Sequence, residues 1–199
     1  MRVPFVAVLA GSLLALATVA PVAARIAYSD RPPVAHTGGF GEPSCHACHF
    51  DERLNDPRGS LSLGGVPERY DPGESYRIIV TLSRRGMGAG GFQLAARYTD
   101  GSAAGRQAGS FRVTDDRAAV SEGKTGVLYP HHVEAGTSLT GRDTATWTLE
   151  WTAPAEPSLP VTFHAAANAA NGDDSEFGDF IYLHSKTIRP AASASSPKR

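Results

Sequence analysis

The stretch "TATWTLEWTAP", residues 144–154, has the clearest periodicity in this chain. Its large apolar side chains, Trp147, Leu149 and Trp151, alternate with threonine and glutamate. A period of two is typical of a β-strand with one buried face. The strand has to end at Pro154, because proline has no N–H to donate to a neighbouring strand. The stretch therefore predicts one strand of a sheet that buries a single side.

Short apolar runs of the same kind recur between turn residues after Gly59. They read "SLSLGGV", "SYRIIVTLS", "GGFQLAARYTD", "GSFRVTD", "GVLYPHHV", "PVTFHAAANA" and "DFIYLHSKTIRP". No stretch shows a convincing amphipathic helical period. About seven short strands at this spacing predict an all-β fold, an immunoglobulin-like antiparallel β-sandwich over residues 59–190.

The two ends of the chain have compositions of their own. Residues 1–24 start with Arg2, continue as an apolar run and close with small residues at Val22 and Ala24, which is typical of a cleaved secretory signal peptide. Cleavage predicts a periplasmic or secreted protein with no integral membrane anchor. An uncleaved anchor is the alternative, since the run approaches the ~18 residues that span a bilayer. Residues 191–199 are small and polar and are predicted to be disordered.

Charge and motifs exclude several classes of function. The chain has 19 Lys and Arg against 20 Asp and Glu, so no electrostatic argument favours a nucleic-acid partner. No Gly-x-Ser-x-Gly elbow, phosphate loop or metalloprotease motif is present, and no hydrolase is predicted. Residues 25–58, rich in Pro, Gly, His and charge, are expected to form an extended arm with no core of its own.

Within this arm, the motif "CHACH" holds both cysteines of the chain. Cys-x-x-Cys-His is the signature of covalent c-type haem attachment, in which Cys45 and Cys48 carry the two thioether bonds and His49 binds the iron. A Cys45–Cys48 disulfide is an alternative, although the βαβ context of a redox pair is absent. A zinc site is another, although it lacks a second ligand pair at finger-like spacing. Phe40 and Phe50 flank the motif and are expected on the porphyrin or in the core.

Several groups could bind the opposite face of such an iron: His36, His131, His132, His164, His184 and Met87. His131 and His132 are consecutive in a predicted strand and so point to opposite faces. A histidine pair at a strand end is more often solvated than buried. His164 is expected half-exposed, on the face of its strand opposite Phe163.

An ordered series of motifs resembles a known family. They are "GFQL" at 91–94, His132 with "AGT" at 135–137, Trp147 to Pro154, and "AANG" at 169–172 with Gly178-Asp179 and Ile181-Tyr182. This series resembles the bacterial reeler-like exported domains, also called choice-of-anchor V domains. The resemblance implies an immunoglobulin-like sandwich and, in cysteine-bearing members, a c-type cytochrome-like site. It also favours His132 over His131 as the second iron ligand. The chain departs from the family at His164, where an aromatic residue is expected.

The loop "NAANGDDSEFGD", residues 168–179, gathers oxygen ligands of the kind that calcium prefers. Its spacing is not that of an EF-hand, and its Asn-Gly and other glycine residues favour a plain turn.

Three functions agree with these features. The first is an exported electron-transfer protein with one covalent haem c, which meets a redox partner protein through a small transient interface. The second is an extracytoplasmic binding or adhesion module in which haem or a metal is structural. The third is a haem enzyme or gas sensor whose iron keeps an open position. An electron-transfer or binding protein is favoured over an enzyme.

Overall fold

The computed structural model describes residues 28–156 and 159–192. The predicted signal peptide, residues 1–24, lies outside the described residues, as does the predicted tail from residue 193 onward. Within the described ranges no helix is long and apolar enough to cross a membrane.

The described chain is all-β and forms two sheets. Its strands are β1 Gly59–Gly64, β2 Arg69–Tyr70, β3 Ser75–Arg84, β4 Ala89–Tyr98, β5 Ser110–Val113, β6 Ala118–Glu122, β7 Leu128–His132, β8 Thr144–Thr152, β9 Val161–Ala170 and β10 Phe180–Pro190. One sheet has the order β1-β3-β8-β5, and the other has the order β2-β10-β9-β4-β7-β6. The helical structure in the described ranges consists of three short 3-10 turns. The predicted all-β sandwich is confirmed.

Two strands differ from the sequence prediction. β2 lies outside the runs that the sequence predicts as strands, and it pairs with β10 in the parallel direction, so the sandwich is not wholly antiparallel. β6 was not predicted. It is a short strand at the edge of its sheet, next to β7, and its middle residues are only partly buried. A strand that buries no clear face leaves no period of two in the sequence.

The core between the sheets is built around the two tryptophans of β8. Trp147 packs on Phe92 of β4 with ring centroids 4.6 Å apart, and Trp151 packs on Phe163 of β9 at 4.9 Å. Each buried indole N–H donates to a backbone carbonyl oxygen, at 2.9 and 3.0 Å. Because both polar atoms are satisfied, the burial of the rings carries no desolvation penalty for an unpaired donor.

The arm, of which residues 28–58 are described, covers the outer face of the six-stranded sheet. The His36 amide donates to Gln93 Oε1 of β4 at 2.7 Å, and Gln93 Nε2 donates to the Pro33 carbonyl at 2.8 Å. Further along, the Asn55 amide donates to the Ile181 carbonyl of β10 at 2.9 Å. The sheet therefore supplies the support that the arm cannot supply by itself.

A charged group fastens the middle of the arm. The Glu42 carboxylate accepts hydrogen bonds from Arg97 Nη2, from the Tyr129 hydroxyl and, at 2.8 Å, from the Thr37 hydroxyl. Burial alone would raise the pKa of Glu42, but these hydrogen bonds and the Arg97 charge hold it below its usual value. Glu42 is therefore ionised at neutral pH and pairs with a buried arginine.

Candidate functional site

A cleft of about 630 Å³ opens between the arm and one end of the six-stranded sheet. Its wall combines arm residues with residues of β4, β7 and β9, namely Cys45, Cys48, His49, Gly91, His132 and Asn168. The volume lies within the range of roughly 300–1,000 Å³ that is usual for small-molecule sites. Two segments far apart in sequence therefore share one concave site.

The "CHACH" motif reaches this cleft because it is wound into a turn. The Ser44 hydroxyl caps the turn by accepting from the His46 amide at 3.2 Å, and the His49 amide donates to the Cys45 carbonyl at 3.1 Å. Side chains three and four positions apart lie on the same side of such a turn. Cys45, Cys48 and His49 accordingly line the cleft, whereas His46 does not.

Both cysteines are free thiols, with Cys45 half-buried and Cys48 exposed. Desolvation raises the pKa of the Cys45 thiol to about 12. Nowhere in residues 28–156 or 159–192 do three or more His, Cys, Asp or Glu side chains group so that they could hold a metal ion. The structure therefore does not assemble the four-ligand zinc site that the motif left open as an alternative.

His49 is held by a carboxylate on the sheet side of the cleft. Its Nδ1 lies 2.8 Å from Oδ2 of Asp179, which is 1% exposed. Asp179 also accepts from the Asn171 amide at 3.0 Å and from Asn168 Nδ2 at 2.9 Å. An Nδ1–H that donates to Asp179 leaves the lone pair on Nε2. The sequence singled out Asp179 in the acidic loop and in the Gly178-Asp179 motif of the family resemblance, but no local sequence pattern links it to His49.

The rest of the acidic loop is a turn stabilised by its own side chains. Asn171 Oδ1 accepts from the Asp173 amide at 3.0 Å, and Asp173 Oδ1 accepts from the Ser175 amide at 2.9 Å. These contacts are asparagine and aspartate turns, in agreement with the plain turn that the sequence favoured. The exposed side chains of Asp174 and Glu176 lie at the mouth of the cleft.

His132 forms part of the wall on the sheet side and is 8% exposed. Its Nδ1 lies 3.0 Å from the Phe92 amide and 3.2 Å from the Phe92 carbonyl, and its Nε2 lies 3.1 Å from the Tyr28 carbonyl. Burial lowers the pKa of His132, so the ring is neutral at pH 7. Because the Phe92 amide donates to Nδ1, the ring carries its proton on Nε2, which donates to the Tyr28 carbonyl. The ring fits because Gly91 has no Cβ, which would lie 2.8 Å from His132 Cε1.

His36 is the second histidine candidate on the cleft wall. Its Nδ1 lies 2.9 Å from the Val34 carbonyl, so Nδ1–H donates there and Nε2 carries the lone pair. Among the residues that the structure describes, His36 Nε2 has no hydrogen-bond partner. His36 therefore competes with His132 for any group bound between them and His49.

The other candidates do not line the cleft. His131 is 1% exposed and bonds Ser121 Oγ through Nε2 at 2.9 Å, so the prediction of a solvated histidine pair is wrong. Tyr28 of the arm contacts the His132 ring and Ser121 of β6 contacts the His131 ring, which is why a strand-end pair is buried here. His164 is half-buried on the outer face, as predicted, but lies under Phe40. His184 is partly exposed, and Met87 belongs to the core.

The two aromatic residues beside the motif have different positions. Phe50 lines the cleft, is 60% exposed and packs edge-on against Phe177, which is 51% exposed, with ring centroids 6.1 Å apart. Phe40 instead packs on His164 at 5.3 Å, away from the cleft. Of these two rings, only that of Phe50 is therefore available to a ligand in the cleft.

Fold and site together define a β-sandwich protein whose arm presents a Cys-x-x-Cys-His turn to one sheet. No family model matches the chain, and no curated protein matches it. Among solved structures, the Reelin-N domain of F-spondin is similar over 74% of this chain and 97% of its own, with 21% identity and a TM-score of 0.45.

Two further solved structures have folds of comparable similarity. AvmM, which catalyses macrocyclization in alchivemycin A biosynthesis, has 18% identity, covers 73% of this chain and 95% of its own, and has a TM-score of 0.46. A cohesin module from a Clostridium perfringens glycoside hydrolase has 12% identity, covers 66% and 96%, and has a TM-score of 0.43. Reeler domains are thus among the folds that this chain resembles, and the function has to be argued from the site.

Proposed function

We propose that this chain is an exported c-type haem protein that transfers electrons. The observation that carries the proposal is the shared cleft, in which Cys45, Cys48 and His49 of the arm meet His132 of β7. Two thiols and a histidine on one wall, with a histidine from the other segment, are the groups that a covalently bound haem uses.

The cleft suits a flat, largely apolar ring. Its wall includes the apolar side chains of Pro32, Pro33 and Phe50, and neither thiol is tied up in a disulfide. The missing side chain at Gly91 makes room for an imidazole on the wall opposite the arm. These features support a haem in preference to a small polar ligand.

Each residue has a distinct role in this proposal. Cys45 and Cys48 attach the haem through thioether bonds, and His49 offers Nε2 to the iron because Asp179 occupies its Nδ1. His132 offers Nε2 from the sheet once the Tyr28 carbonyl has left that atom and the ring proton has moved to Nδ1, where the Phe92 carbonyl can accept it. When bound, the haem supplies one-electron redox chemistry.

The mouth of the cleft supports a positively charged redox partner. Asp174 and Glu176 are exposed there, next to the exposed rings of Phe50 and Phe177. Apolar contact surrounded by charges of one sign is typical of transient electron-transfer interfaces, where complementary charge steers the encounter.

A haem protein with an open iron position is the second candidate function. The Tyr28 carbonyl lies 3.1 Å from His132 Nε2, so this histidine has a competing partner within the fold. If that hydrogen bond persists, one face of the iron stays free for a gas or a substrate. Rapid carbon monoxide binding by the reduced protein supports this candidate, and slow or absent binding supports electron transfer.

We also infer that the chain is a cysteine-bearing choice-of-anchor V domain. The motifs that carry the resemblance lie on one sandwich: "GFQL" on β4, His132 at the end of β7, the tryptophans on β8, "AANG" across the end of β9 and the Ile181-Tyr182 pair on β10.

The decisive experiment is expression of the full chain in cells that have the c-type haem attachment machinery. We expect a red protein whose haem stain survives a denaturing gel, and we expect the Cys45→Ala/Cys48→Ala variant to lose that stain. His46→Ala is the matched control, because His46 belongs to the same turn but not to the cleft wall. A colourless wild-type protein contradicts the proposal and leaves a binding module as the better interpretation.

A further inference from the structure

We propose that Asp179 is a positioning residue for His49, and that it sets the reduction potential of the site. The inference rests on the proposed function, since it concerns the histidine that would bind the iron. Nothing in the motif itself supplies this group, because Asp179 follows the turn between β9 and β10.

The Asp179 carboxylate has a fixed geometry. Asp179 Oδ2 lies 2.8 Å from His49 Nδ1 and also accepts from Asn168 Nδ2 at 2.9 Å. Its other oxygen accepts from the Asn171 amide at 3.0 Å. With both oxygens engaged and the side chain 1% exposed, the carboxylate cannot turn away from the imidazole.

The contact with Asp179 changes the properties of the His49 ring. A carboxylate that accepts the Nδ1–H fixes the tautomer and orientation of the ring and makes Nε2 a stronger electron donor. A stronger donor stabilises the ferric iron relative to the ferrous iron, so it lowers the reduction potential. Asp179 therefore biases the site towards the oxidised state.

The effect of the His49–Asp179 hydrogen bond can be distinguished from the effect of a nearby negative charge. Asp174 is also a carboxylate on the cleft wall, but it is exposed and makes no contact with His49 in the described structure. Solvent screens its field, whereas the buried Asp179 acts through a direct contact. Removal of one charge at each position therefore provides a matched pair.

The experiment measures the reduction potential of haem-loaded wild-type protein, Asp179→Asn and Asp174→Asn. We expect Asp179→Asn to raise the potential by at least a tenfold change in the reduction equilibrium, which is about 59 mV for one electron. Asp174→Asn should change it several times less. Equal shifts, or no shift in Asp179→Asn, overturn the inference while the haem function stands. A wild-type protein without covalent haem contradicts both.

A second variant covers the case in which Asp179→Asn does not fold. Asn168→Ala removes the amide that shares Oδ2 with His49 and that also lies 3.4 Å from His49 Nδ1 and 3.5 Å from Nε2. Without this competitor, the His49–Asp179 hydrogen bond should strengthen. We then expect the potential to fall, a shift opposite in sign to that of Asp179→Asn. A merely structural role of Asp179 predicts no such lowering, and an unchanged or raised potential in Asn168→Ala contradicts the inference.

Discussion

The imidazole of His132 lies directly against the backbone of Gly91, where a Cβ atom would approach Cε1 to 2.8 Å. Gly91→Ala should therefore push the ring off the cleft wall and destabilise the fold by about 1–3 kcal/mol, as overpacking usually does. We expect the haem-loaded variant to gain a high-spin component in its visible spectrum.

Gly141→Ala is the control for this change, because a Cβ at Gly141 would meet no atom within 4 Å. It should retain the spectrum and stability of the wild type. If Gly91→Ala does the same, His132 does not depend on the missing side chain.

Removal of His132 and removal of His36 should have different effects on the visible spectrum. His132→Ala should convert a low-spin spectrum to a high-spin one, because His132 is held rigidly by Phe92 and the strand behind it. His36→Ala should leave the spectrum low-spin. The reverse outcome, which visible and electron paramagnetic resonance spectra would show, assigns the second ligand to His36.

Loss of the Glu42 carboxylate should loosen the arm. Glu42→Gln leaves the buried Arg97 without its counter-charge, which costs about 3 kcal/mol of unfolding free energy. Glu68→Gln, which removes the partner of Lys186 at an exposed site, should change stability little. Urea unfolding at pH 7 compares the two. A Glu42→Gln protein as stable as the wild type would show that the pair does not fasten the arm.

The same carboxylate makes the stability depend on pH. Because the pKa of Glu42 is lower in the folded state, its contribution is complete above the unfolded value of about 4.3 and is lost as pH falls through the folded pKa. The difference in unfolding free energy between wild type and Glu42→Gln should therefore shrink from pH 7 to pH 3. A constant difference would mean that the lowered pKa is not coupled to folding.

The acidic mouth of the cleft should select small redox reagents by charge. Oxidation of the reduced protein by hexaammineruthenium(III), a cation, should slow as salt shortens the Debye length from about 30 Å to 3 Å. Asp174→Asn/Glu176→Gln should slow it at low salt, while the exposed control pair Asp100→Asn/Asp116→Asn should not. Stopped-flow rates that are the same in all three proteins remove the charge argument.

Local sequence patterns predicted the β-sandwich, but they did not predict that the arm docks on it. The alternation of Trp147, Leu149 and Trp151 predicted a strand with one buried face, and all three side chains are buried. That inference needs only neighbours in sequence. The burial of His132 depends instead on contact with Tyr28 of the arm, and no pattern within β7 predicts that contact.

The residues of the site also differ in whether local sequence could predict them. Cys45, Cys48 and His49 form one motif, and their spacing alone places them on one side of a turn. Asp179 reaches His49 only through the tertiary fold, and within its own segment it is one acidic residue among several. Side chains paired across such separations are visible only once the sheet order and register are known.

Those separations also bear on the order in which the molecule assembles. The arm touches the sandwich through pairs 87, 104 and 119 positions apart, at Tyr129, His132 and Asn168 respectively. Closing such long loops costs entropy before the contacts repay it, so docking of the arm comes late in folding. Until then the two thiols stay on an open peptide. In the proposed haem protein, a haem-attaching enzyme would reach them at that stage, before folding closes the sheet over the turn.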